Sequence, residues 1–122
     1  MMLIRYIDFV IKYKLKYVDH RPFHGFWEHK KVMVELIKYL NKHKYESYDE
    51  AVVYYTNIEK ACLILRNKVL KFNMTKDYKI LESFKQSINK VIADEYFMIQ
   101  VILHDLEHHY KKNVFYENLY TQ

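Results

Sequence analysis

The sequence predicts an all-α fold: a compact up-down bundle of about five helices around a long central helix at residues 48–72. Three observations carry that prediction. Only one Gly and one Pro occur in 122 residues, against ordinary usage of roughly 7% and 5%. Tight hairpins, phosphate-cradling loops and dinucleotide-binding turns need glycine for positive φ or close backbone approach. The P-loop, the Rossmann fingerprint and the β-barrels are therefore excluded. Second, 51% of the residues are apolar or aromatic and 29% are charged, enough to bury one core and stay solvated, so residues 1–122 read as a single helical domain. Third, the apolar positions recur at spacings near 3.6 rather than 2.

The first helix is predicted over residues 3–18, with Leu3, Ile4, Ile7, Ile11, Leu15 and Val18 on one face. Pro22 lacks an amide donor and pushes Arg21 out of the α region, so this helix should end by His20. A second helix is expected over about 24–41, with Phe26, Met33, Leu36, Ile37 and Leu40 inward. Ser47-Tyr48-Asp49-Glu50 is a capping-box pattern at the start of the third helix. Its seam, Tyr48, Ala51, Tyr55, Ile58, Cys62, Leu65, Val69 and Phe72, alternates steps of three and four, as in a coiled coil. Val52, Val53, Leu63, Ile64 and Leu70 make further faces apolar, which predicts packing on several sides.

After Asn73-Met74-Thr75-Lys76, with Thr75 available as a cap, the apolar pattern runs without Gly or Pro from Asp77 to about residue 112. One helix of that length would measure about 50 Å, roughly twice its neighbours. A break near Ala93-Asp94-Glu95, with Asp94 as a cap, is therefore expected. Residues 113–122 read as a tail whose Val114, Phe115, Leu119 and Tyr120 are available for docking.

Net charge is +5, and its distribution is uneven. Residues 1–45 hold ten Lys/Arg and four Asp/Glu, a balance of +6, while residues 46–122 hold ten and eleven. This bias points to an anionic partner, nucleic acid or an acidic protein surface, bound through the N-terminal third. The expected binding residues are Lys12, Lys14, Lys16, Tyr13, Tyr17, Arg21, Lys30 and Lys31, because aromatic faces beside cations stack bases while the cations hold phosphates. The lone Cys62 excludes an intrachain disulfide and points to a reducing compartment. Arg5, Asp8, Lys12, Lys14 and Lys16 interrupt the apolar N-terminus where a signal peptide is uninterrupted. No run of about 18 uncharged apolar residues occurs. The expectation is a soluble cytoplasmic protein without a membrane partner, with homo-oligomerisation left open.

His104-Asp105-Leu106-Glu107-His108-His109 is the densest polar cluster, and His104 and His108 stand at the i, i+4 spacing that chelates transition metals. A second cluster, His20, His24 and His29, surrounds the only Pro and the only Gly. The His104-Asp105 pair resembles the HD superfamily of metal-dependent phosphohydrolases, and His24 stands where that resemblance implies an early His. The family's late Asp has no counterpart, since Asp105 is the last Asp of the chain. The His104-x-x-x-His108 pattern with an early His resembles the three-histidine sites of DinB-like bundles. Arg66-Asn67 resembles the start of the HEPN ribonuclease motif, but no His follows before 104, which excludes that chemistry.

The reading of the whole is a small basic, non-catalytic interaction or accessory protein without a cofactor, in keeping with a virus or mobile element as source. The alternative is a metal-dependent hydrolase holding a divalent transition metal with His24, His29, His104, Asp105 and His108. That alternative requires the break near Ala93, which brings both histidine clusters to one end of the bundle.

Overall fold

The computed structural model describes residues 2–43 and 48–121, with residues 109–121 described as helical backbone. Ser47, and with it the expected capping box, lies outside the described residues. The chain is all-α: α1 (Met2–Lys12), α2 (Arg21–Lys42), α3 (Asp49–Thr75), the single turn α4 (Lys79–Glu82) and α5 (Phe84–Thr121). Among the described residues there is no strand, and the helices that matter for packing number four rather than five.

The seam of α3 is the axis of the molecule. All eight of its predicted positions, from Tyr48 to Phe72, are buried. The lower half of the seam (Leu65, Val69, Phe72) packs with Leu3, Ile7 and Val10 of α1, Phe23 of α2 and Phe84 and Ile88 of α5. The upper half (Tyr48 to Cys62) packs with Val34 and Ile37 of α2 and with Val91, Met98 and Ile102 of α5. Helices α2 and α5 therefore both run antiparallel to α3. The further apolar faces of α3 are used only in part: Val52 and Leu63 are half-buried, while Val53, Ile64 and Leu70 are exposed.

Helix α1 stops six residues earlier than its periodicity implies. Leu15 N–H donates to Val10 C=O (3.0 Å) and Lys14 N–H to Ile11 C=O (3.3 Å), with Lys14 at φ 53°. This is a Schellman ending, with a lysine in the left-handed position that glycine normally takes. Leu15 and Val18 keep helical spacing but lie in the connection, where Val18 is pinned by Asn73. Its N–H donates to Asn73 Oδ1, and Asn73 Nδ2 donates back to Val18 C=O, both at 2.8 Å. Helix α3 also ends on a left-handed lysine, but in the simpler αL motif: Lys76, at φ 58°, donates its N–H to Phe72 C=O. The one glycine, Gly25, sits in the first turns of α2 without positive φ.

Helix α2 begins earlier than expected, with Pro22 in its first turn, where a missing N–H is harmless. Its inward positions are Phe23, Lys30, Val34 and Ile37. Phe26, Met33 and Leu40 are half-buried, and the expected inward Leu36 is exposed.

The expected break near Ala93 does not occur. The interruption is at Ser83, and α5 then continues for 38 residues, about 57 Å, to Thr121. Asp77, rather than Thr75, receives the Lys79 N–H (3.0 Å) and opens α4. Ala93 is the best of helix formers, and an interior Asp costs only tenths of a kcal/mol more, about 0.5. Local sequence at 93–95 therefore cannot stop a helix that buries Val91, Met98 and Ile102 on one face. Residues 113–121, expected as a separate tail, are the last turns of this helix.

Candidate functional site

The basic end of the molecule is built from two helix C-termini lying side by side. Residues 1–21 and 71–79 hold eight Lys/Arg and three Asp, a balance of +5 that equals the whole net charge; the rest of the chain holds twelve of each sign. Tertiary contacts join the two segments. Lys76 Nζ donates to Lys16 C=O, Tyr78 Oη donates to Leu15 C=O (2.6 Å), and Lys14 Nζ stands 4.9 Å from the Tyr78 ring centroid. Lys12, Tyr13, Lys16 and Tyr17 are exposed on this end, with Lys12 Nζ 5.4 Å over the Tyr13 ring. Lys71 and Lys79 are exposed beside them, a contribution from distant sequence that charge counting along the chain assigned to a neutral region. Cations here also oppose the negative ends of the α1 and α3 dipoles.

Three of the expected binding residues stand apart from this picture. Arg21 is engaged by Asp19 in a two-pronged pair, Nε to Oδ1 at 3.0 Å and Nη2 to Oδ2 at 2.7 Å. That guanidinium holds the Asp19 carboxyl down to about 2. Lys30 is only 4% exposed, and its Nζ lies 2.8 Å from Glu95 Oε1 and 3.0 Å from His29 Nδ1, over the Phe26 ring. It belongs to the core between α2 and α5, where a lysine persists because an acid faces it. Lys31 is exposed but turns to Trp27, at 5.4 Å from the ring centroid, three turns up α2 from Arg21. Lys30 is therefore removed from the surface expected of it, and Lys31 lies on the α2–α3 side face.

That side face carries a cluster with little signature in the sequence. The Trp27 indole Nε1 donates to Glu59 Oε1, and the Arg66 guanidinium carbon sits 4.9 Å from the Trp27 centroid. Arg66 Nη1 meets His24 Nδ1 at 3.2 Å, and His24 Nε2 meets Glu28 Oε1 at 2.9 Å. An arginine can only donate and a carboxylate only accept, so in these contacts Nδ1 accepts and Nε2 donates. The available sign was a scarce residue type: Trp27 is the only tryptophan and Arg66 one of three arginines.

The histidine clusters do not converge. With α5 unbroken, His104 and His108 lie at the end of the bundle where Leu40 and Leu106 both pack on the upper core, whereas His24 lies beside Arg66 at the other. The sixteen residues of α2 between His24 and Leu40 span about 24 Å. His104 is 83% exposed with the Asp105 carboxylate 3.8 Å away, and both ring nitrogens of His24 are already engaged. The described residues contain no group of three or more His, Cys, Asp or Glu placed to hold a metal ion. His109 falls outside the described side chains. Because one helix replaces the two expected, His24 stands at the opposite end of the bundle from His104, Asp105 and His108.

Cys62 is fully buried on the α3 seam, and burial pushes its thiol up to about 12. Tyr55 beside it is also buried, and burial together with Glu95 raises its hydroxyl as well. No helix among the described residues is long and apolar enough to cross a membrane. No protein-family model, curated protein or solved structure matches the chain.

Proposed function

We propose that this protein is a helical interaction module that holds an anionic partner, nucleic acid in the first place, on its basic end. One observation carries the reading: the entire net charge gathers on a surface formed by residues 12–21 and 71–79, with the exposed rings of Tyr13 and Tyr17 among the lysines. Lysines supply salt-dependent attraction to phosphates. Exposed rings supply stacking that tolerates any base. Seventeen of the twenty cations are lysine, which suits backbone contact rather than the forked reading of base edges.

The test is fluorescence anisotropy with a labelled single-stranded oligonucleotide across a salt series. Charge reversal at Lys12, Lys14, Lys16 and Lys76 should weaken binding and flatten the salt slope, since fewer counterions are released. Reversal at Lys38 and Lys60, which are exposed on the parts of α2 and α3 away from this end, should change it much less. Equal losses from both sets would remove the localisation, and no binding by the wild type would remove the nucleic acid.

A further inference from the structure

The upper half of α3 and α5 has the opposite character to the basic end. Residues 49–59 carry three Asp/Glu and residues 91–108 carry four, with no Lys or Arg in either stretch. Glu59 and Glu95 turn toward α2, to Trp27 and Lys30. The other side is a groove. One cleft of about 380 Å³ between α3 and α5 has Ile58, Ala61 and Val91 in its lining and Asp94 at its edge, with Lys90 below. A second of about 300 Å³ shares Tyr54 and Asn57 with the first and is edged by Asp49 and Glu50. Val53 at 63% exposure and Phe97 at 59% stand open there, the Phe97 ring 6.4 Å from that of Tyr54. From Asp49 to Ala61 the groove follows α3 for about 18 Å.

A surface of matching length and opposite charge is present on the same chain. Helix α1 buries Leu3, Ile7 and Val10, and its outer face presents Met2, Arg5, Phe9, Lys12 and Tyr13, all exposed, with Asp8 at one edge. The Phe9 and Tyr13 rings stack at 4.7 Å, making an apolar ridge between the two cations. From Met2 to Tyr13 this stripe measures about 16 Å. The stripe and the groove cannot meet within one molecule, because the inner face of α1 is held by Phe72, Phe84 and Ile88 at the lower end.

We propose that the α1 stripe of one copy docks in the α3–α5 groove of another, so that this chain associates with itself head to tail. An amphipathic helix laid in an apolar groove is a recurrent recognition mode, and the acidic edge selects a basic helix over others. Because the two surfaces differ, each copy retains a free stripe or a free groove, and association continues into chains or a closed ring. The inference does not rest on the anionic-partner reading; Lys12 and Tyr13 belong to both surfaces, whereas Arg5 and Phe9, the positions varied below, belong to the stripe alone.

Sedimentation velocity on the full chain tests it. The wild type should rise above monomer mass with concentration. A stripe variant (Arg5→Glu with Phe9→Ser) and a groove variant (Glu50→Lys with Val53→Ser) should each remain monomeric while keeping wild-type circular dichroism. All four positions are exposed, and the single substitutions Arg5→Glu and Glu50→Lys should give the same pattern more weakly. Mixed one to one, the two double variants should form a dimer and nothing larger, since one supplies the intact groove and the other the intact stripe. The inference is overturned if the wild type stays monomeric up to about 1 mM, where even the weakest specific pairing of about −4 kcal/mol registers. It is equally overturned if either double variant associates as the wild type does, or if the mixture stays monomeric.

Discussion

Lys30 shows how much a single residue depends on what faces it. Its ammonium is buried against Glu95 at 2.8 Å, so removing one partner strands the other charge in the core. Lys30→Ala should destabilise by about 3–5 kcal/mol, whereas Lys30→Met with Glu95→Leu should restore most of that loss. Urea melts of the three proteins measure it; equal midpoints for the single and double variants would show the pair to be unimportant. Tyr55 Oη and Glu95 Oε2 are both buried with no partner in hydrogen-bond geometry. Tyr55→Phe should therefore leave stability within about 1 kcal/mol of wild type, because at most a poorly aligned contact with Glu95 is lost. At the surface, Arg21 lowers the Asp19 carboxyl to about 2 from an ordinary value near 3.8. The stability this contributes is fully present above about pH 4 and is lost as pH falls toward 2. Asp19→Asn should remove that part of the acid dependence, read from melting temperatures between pH 5 and 2.

At the level of the helix, the terminations carry the strain. Lys14 and Lys76 occupy left-handed positions at φ 53° and 58°, at a cost of roughly 1–2 kcal/mol each relative to glycine. Lys14→Gly should stabilise by about 1 kcal/mol, offset where the Lys14–Tyr78 contact is lost. Gly25 is the reverse case: a Cβ there meets nothing within 4 Å, so Gly25→Ala should stabilise by about 0.5–1 kcal/mol. Thermal melts resolve both. The continuity of α5 is tested by Ala93→Pro, which interrupts a helix interior and should cost about 3 kcal/mol or more. A near-neutral result at this exposed position would mean that the helix is already broken there.

Across the whole molecule, the path of α5 decides which surfaces exist. A single helix carries the residue 104–108 turn to the end opposite His24 and leaves a basic end and an acidic groove on one chain. Spin labels at His24→Cys and His104→Cys, in a Cys62→Ala background, should report a separation above about 20 Å, given the length of α2 between them. A shorter distance would restore a shared histidine site.

The regular repeat of α3 was legible in the sequence because the seam from Tyr48 to Phe72 meets partners on every turn, so periodicity and burial coincide. The all-α class was legible too, since one glycine leaves few ways to turn a sheet. Where the helices end was not legible. Leu15 and Val18 continue the α1 spacing into a connection, and nothing local to residues 93–95 tells a cap from an interior turn. Those outcomes come from contacts between distant segments: Asn73 holding Val18, and Lys30 and the α3 seam holding the middle of α5 straight. The candidate surface follows the same division. The sequence by itself determined the excess of positive charge near the N-terminus and the alternation of tyrosines with lysines there. Only the tertiary structure brought Lys76 and Tyr78 to that end, took Lys30 into the core and separated the two histidine clusters. The physical reason is that charge and periodicity are properties of a segment, whereas a site is a property of which segments the core brings together.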